Sequence, residues 1–157
     1  MIDGLEFAFA DTPLEQFLAA LEPGQPVCAS YLLTVLDGES EEIARETLEQ
    51  LAGKYRLFIV SNSERGYPEL CMEKLGLADY IEGHLCFGDT GTTKGQTILT
   101  LMRKYGISSA AYIGDTQGDL EATEEAGIDF IWAAYGFGAP AHWVAKAESP
   151  QALLEIL

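Results

Sequence analysis

The chain has 157 residues, 48% of them apolar, which suits one globular domain with its own core and is too apolar for intrinsic disorder. Nine Lys and Arg against 25 Asp and Glu give a formal net charge of −16, which repels nucleic acid and anionic membrane surfaces. No run of 18 apolar residues is present to span a bilayer, so a small-molecule site or a protein partner remains.

Thr12-Pro13-Leu14-Glu15 has the form of a capping box with proline at the first helical position, and predicts a helix over 13–21. Glu22-Pro23-Gly24-Gln25-Pro26 breaks it, and a second, shorter helix is expected around 28–36. Residues 1–40 therefore read as a helical appendage.

From residue 41 the pattern changes to helices alternating with short apolar runs. A helix is expected over 41–52, with Ser40 as N-cap, Ile43, Leu48 and Leu51 inward, and Gly53 at its end. Arg56 to Val60 reads as a strand too continuously apolar to be an edge facing water. A helix over 65–75 closes at Gly76, and His84 to Phe87 is a short strand. After a Gly/Thr loop, Ile98, Leu101, Met102 and Tyr105 recur at helical spacing up to Gly106. Ala110 to Ile113 is the next strand, residues 119–126 are helical to Gly127, and Ile128 to Ala133 forms a fourth strand. Ser149 and Pro150 open a terminal helix as N-cap and first helical residue. Four strands joined by helices imply an α/β fold with a doubly wound parallel sheet, whose ligands bind beyond the carboxyl ends of the strands.

Three of those strand ends carry polar residues. Ser61-Asn62-Ser63 places a hydroxyl and successive backbone N–H groups just before a helix, either as a turn and cap or as a cradle for phosphate. Lys94, in the loop Gly88 to Gly95, is either a solvated lysine or a point cation for phosphate; the Walker A order is absent. Asp115 directly follows a strand and Asp119 lies one helical turn on, so both carboxylates can face one point and suit Mg2+. Asp119 is equally accounted for as an acid at a helix N-terminus, whereas a carboxylate at the inner end of a buried strand is costly unless paired or bound to a cation. Tyr135-Gly136-Phe137-Gly138 is a glycine-rich loop suited to packing over such a site. Cys28, Cys71 and Cys86 form no CxxC pair and the start of the chain lacks a signal-peptide pattern, so a reducing cytoplasm is expected. His84 and His142 are too few for a histidine zinc site.

Strand-Ser61-Asn62, loop-Lys94 and strand-Gly114-Asp115 followed by Asp119, in that order, resemble the haloacid dehalogenase-like (HAD) hydrolase superfamily. Leu57 to Asn62, Tyr112 to Asp119 and Ala134 to Gly138 are similar to its phosphoglycolate phosphatase-like branch. The resemblance covers about residues 41–140. It implies a Rossmannoid core over 41–157, with residues 1–40 as a remnant of the family's helical cap. It also implies an Mg2+-dependent phosphatase of small phosphorylated metabolites. In that family a nucleophilic aspartate attacks phosphorus, and a second aspartate two residues on acts as general acid and base. Carried over by position, Ser61 would hydrogen-bond the phosphoryl group with Asn62 beside it, Lys94 would neutralise its charge, and Asp115 and Asp119 would hold the metal.

The family's DxDGT motif, which should precede Ser61, is absent. Asp11 is the nearest surrogate for the nucleophile, but Pro13 then stands at the general-acid position, and Asp11 to Leu14 is better explained as a helix start. The resemblance therefore implies an enzyme inactive or severely impaired as this chain; the alternative is a non-catalytic remnant or protein-interaction module. A receiver domain fits less well, because it too requires an acidic pair near the first strand. In the family the missing motif lies on a central strand, which the resemblance would place between those ending at Ser61 and Asp115. Residues 5–10 fill that place, the neighbours close up, or another chain supplies a strand by self-association.

Overall fold

In the computed structural model, residues 27–29, 33–35 and 38–157 are described. The expected helix over 13–21, the capping box at Thr12 and the surrogate Asp11 lie outside them.

The chain enters as an antiparallel hairpin of β1 (Val27–Ala29) and β2 (Leu33–Val35), pairing Val27 with Val35 and Ala29 with Leu33. This corrects the helix expected around 28–36. Val27, Thr34 and Val35 are β-branched and favour extended backbone. The first helix, α1 (Gly38–Ala52), begins before Ser40, which is therefore a helical residue and not its N-cap. β3 (Phe58–Ser61) and α2 (Tyr67–Leu75) follow; Gly76 closes α2 at φ 66°, a left-handed conformation that glycine adopts without strain. β4 (Gly83–Cys86) runs into a single turn, α3 (Phe87–Thr90). The next helix, α4 (Lys94–Tyr105), starts earlier than its apolar repeat suggested, so Lys94 is its first residue and not part of a loop. β5 (Ala111–Gly114), α5 (Gln117–Ala126) and β6 (Asp129–Ala133) match the expected alternation. A further strand, β7 (Ala145–Ala147), was not legible in so short an Ala-Lys-Ala run. The terminal helix α6 (Leu153–Ile156) begins after Pro150; Ser149 Oγ accepts from Ala152 N at 3.3 Å and caps the turn before it.

The strands pair in parallel as the α/β pattern requires, but in two pieces: β3 with β4, and β5 with β6 and β7. Among the described residues the ladder partner of β3 is β4. Helices cover both faces. Val60 packs with Ile98, Leu101 and Ala122 of α4 and α5 on one side. Ile59 packs with Leu48, Met72 and Leu75 of α1 and α2 on the other, as strand alternation demands. Leu51, Ile131, Ala147 and Leu153 extend that second layer over β6 and β7. Among the described residues no helix is long and apolar enough to cross a membrane.

Candidate phosphate and metal site

The polar residues gather at the carboxyl ends of the strands. Thr116 and Asp119 form a capping box at the start of α5. Asp119 N donates to Thr116 Oγ1 at 3.1 Å, and Thr116 N donates to Asp119 Oδ2 at 3.1 Å. Asp119 Oδ2 also accepts from Asp115 N at 3.2 Å and from Thr116 Oγ1 at 2.8 Å. Its other oxygen faces Lys94 Nζ at 2.5 Å, in a pair whose side chains are 7% and 0% exposed. The structure thus excludes the solvated-loop reading of Lys94. A Cβ on Gly114 would lie 2.7 Å from Asp119 Cβ, so only glycine lets β5 come this close to α5.

Lys94 stands where electrostatics least favour it. It is buried, which weakens its charge, and it occupies the first position of a helix, the positive end of the dipole. Tyr112 and the Asp119 carboxylate more than offset burial and hold the ammonium above the usual lysine range. Burial raises Tyr112 well above an ordinary phenol, so it stays neutral near pH 7 and Asp119 supplies the counter-charge.

Asp115 is 1% exposed at the end of β5. Its Oδ2 accepts a hydrogen bond from Phe137 N at 2.7 Å. The loop from Tyr135 to Gly138 folds over it, as its glycines suggested: a Cβ on Gly136 would sit 2.4 Å from Asp115 Cβ, and one on Gly138 2.4 Å from the Asp115 carbonyl. Tyr135 is pushed above an ordinary phenol by burial and then by the nearby Asp115 charge.

Ser61 is buried at the end of β3, its Oγ accepting from Ser63 N at 3.2 Å, while Asn62 is exposed. These two belong to the other half-sheet. Tyr112 joins the halves, its hydroxyl donating to the Val60 carbonyl at 3.0 Å and its ring lying 5.8 Å from Lys94 Nζ. Sequence reasoning treated Tyr112 only as a strand residue. The available signal was a phenol in an apolar strand, since a buried hydroxyl needs a partner.

Among the described residues no group of three or more His, Cys, Asp or Glu forms a metal cage. Mg2+ needs none, because it is commonly held through one or two carboxylates, waters and a substrate phosphate. Asp115 suits direct ligation. Asp119, engaged by Lys94 and three other donors, suits an outer layer that orients water or Lys94. The donor set thus fits a hard cation held largely from one side.

The haloacid dehalogenase-like hydrolase family model matches residues 38–133, more than half of the chain. Among solved structures, a HAD phosphatase from Thermococcus onnurineus superposes with a TM-score of 0.69 at 20% identity, over 93% of this chain and 65% of that one. A predicted phosphoglycolate phosphatase from Haemophilus somnus gives 0.66 at 22% identity, over 72% and 55%. A HAD-superfamily hydrolase of subfamily IA from Geobacter sulfurreducens gives 0.64 at 20%, over 72% and 53%. At these identities the likeness is one of fold, and the chain spans little more than half the length of the last two proteins. No curated protein sequence matches the chain.

Proposed function

The chain belongs to the haloacid dehalogenase-like hydrolase family, and from that premise we propose that it is the phosphate- and magnesium-binding part of a phosphatase of small phosphorylated metabolites, with turnover severely impaired in this chain. The observation that carries the reading is the buried Lys94, held on Asp119 beside the buried Asp115 at the carboxyl end of β5. A phosphoryl group there would take hydrogen bonds from the Ser61 hydroxyl and from N–H groups of the Asn62 turn. Lys94 would neutralise one of its oxygens as a point charge. When bound, Mg2+ would offset repulsion between the phosphate and this acidic site, held by Asp115 directly and by Asp119 through water. The loop from Tyr135 to Gly138 fixes Asp115 and limits water around it.

Impairment follows from the residues that attack on phosphorus requires. No DxD pair occurs in the 157 residues, and Pro13 cannot act as the proton donor two residues beyond Asp11. The same absence supports the second reading, a non-catalytic protein that keeps the fold. The free thiols of Cys71 and Cys86 support a reducing, cytoplasmic setting. The charge of −16 argues against nucleic acid as a partner.

Two measurements test this. Calorimetric titration with Mg2+ and inorganic phosphate is expected to show binding that is lost in Lys94→Met; absence of any binding favours the non-catalytic reading. A phosphatase screen with Mg2+ is expected to show little turnover. Turnover abolished by Asp11→Asn would make Asp11 the nucleophile and overturn the impairment.

A further inference from the structure

Ser61 ends β3 and Lys94 opens α4, so the two groups proposed to hold phosphate come from different elements. One phosphoryl group must meet both at once, which requires their separation to be held to about 0.5 Å. A lysine is poorly suited to holding itself there. Its four-carbon stem rotates, and its ammonium is a point charge without the fixed fork of a guanidinium. Asp119 Oδ1 anchors that ammonium from α5 at 2.5 Å, but one bond to one oxygen sets a distance and leaves the direction open.

Tyr112 supplies a second direction. It lies on β5, and its hydroxyl is hydrogen-bonded to the Lys94 ammonium, whose Nζ is 5.8 Å from the ring centre. The same hydroxyl meets the Val60 carbonyl at 3.0 Å. Chemistry fixes the polarity of this chain. An ammonium only donates and a carbonyl only accepts, so Lys94 donates to the phenol oxygen and the phenol donates to Val60. Burial holds the phenol well above its ordinary range, which keeps that proton in place. Each bond also polarises the next, so the cation strengthens the bond to Val60. The Val60 carbonyl shares one rigid peptide plane with the Ser61 nitrogen, so the hydroxyl holds the unit that carries Ser61.

We propose that Tyr112 is a positioning residue of the phosphate site: its hydroxyl ties the Lys94 ammonium to the Val60–Ser61 peptide and so sets the distance between that cation and the Ser61 hydroxyl. The inference rests on the reading of Ser61 and Lys94 as phosphate-binding groups. A core role does not call for the hydroxyl. The Tyr112 ring packs against the cluster of Val60, Ile98, Leu101 and Ala122, where a phenylalanine ring would fill the same space without a polar atom to satisfy. Tyr112 acts through Lys94 and Ser61 and does not itself touch the phosphoryl group.

Tyr112→Phe keeps the ring and deletes the hydroxyl. In calorimetric titrations of the full chain with Mg2+ present, affinity for inorganic phosphate is expected to fall about tenfold, the scale of one hydrogen bond to a charged group. Affinity for Mg2+ alone should be unchanged, because the Asp115 carboxylate is bonded to Phe137 N on the glycine-rich loop. A parallel fall in both would give the hydroxyl a merely structural role at the end of β5, and unchanged phosphate affinity would show that Lys94 and Ser61 keep their places without it; either overturns the proposal. Low-temperature NMR of the wild-type chain needs no variant to fold. The Lys94 ammonium signal is expected to show a nuclear Overhauser contact to the Tyr112 hydroxyl proton. A wild type that binds no phosphate overturns the reading of the site and the proposal with it, whereas a missing contact beside intact phosphate binding overturns the role of Tyr112 alone.

Discussion

Replacing Lys94 by Met keeps the length of the side chain and removes its charge, which separates a buried ion pair from a surface lysine by magnitude alone. The pair with Asp119 is 2.5 Å long, and its two side chains are 7% and 0% exposed. Removing one partner of such a pair leaves the other charge buried and alone, at a cost of about 3–5 kcal/mol. For a domain whose total stability is about 5–15 kcal/mol that is a large fraction. With about 2–4 °C of melting temperature per kcal/mol at this size, the expected loss is about 6–20 °C. A solvated lysine would change stability by no more than about 0.5 kcal/mol. Asp119→Asn should cost a similar amount, because it leaves the ammonium buried. The double variant should cost less than the sum of the two, with a coupling of about 1–3 kcal/mol. Urea unfolding with linear extrapolation measures all three. A loss below about 1 kcal/mol in Lys94→Met, or strict additivity in the double variant, would refute the buried pair.

Gly136→Ala would place a Cβ 2.4 Å from Asp115 Cβ and 2.5 Å from its Oδ2. The strain is expected to cost about 1–3 kcal/mol by urea unfolding and to weaken Mg2+ binding at least roughly tenfold by calorimetry; unchanged affinity would detach the glycine loop from the site. Burial pushes the thiols of Cys71 and Cys86 from 9.0 up to about 11, with the Asp89 carboxylate, 3.2 Å from Cys86 Sγ, adding to the second. Because these pKa values are raised in the folded state, the contribution is intact below the ordinary thiol range and is lost as pH rises from about 9 through 11, where the unfolded chain ionises first. Both thiols should therefore resist a disulfide reagent at pH 8 in the folded chain and react once it is unfolded, and rapid labelling of the folded chain by peptide mapping would contradict their burial.

Elements with a local cause were legible. Gly76, Gly106 and Gly127 end their helices in left-handed conformations where the sequence put the stops. Asp119 reaches back to the Asp115 N–H because it is the third residue of a capped helix that starts two residues after Asp115. What failed depended on partners distant in sequence. The hairpin of β1 and β2 is made by cross-strand pairing, which the local pattern of residues 28–36 does not reveal. Tyr112 reads as an ordinary strand residue, although its hydroxyl reaches the Val60 carbonyl on β3.

The structure also moves the weight of the functional argument from one residue to another. In the sequence Asp115 was the residue without a structural excuse. In the fold its carboxylate accepts from Phe137 N, and Asp119 is explained as the third residue of a capping box. Both carboxylates could thus be kept for local reasons. Lys94 has no such account. It is a cation at the positive end of a helix, in a buried place where an apolar pair of similar volume replacing Lys94 and Asp119 together would stabilise the fold as well or better. Thr93 already caps that helix by accepting from Gln96 N at 3.2 Å, so Lys94 adds nothing to its start. A positive charge held against both burial and the dipole is what an anionic ligand requires, so affinity for phosphate should fall further in Lys94→Met than in Asp119→Asn, even though both variants lose the same ion pair.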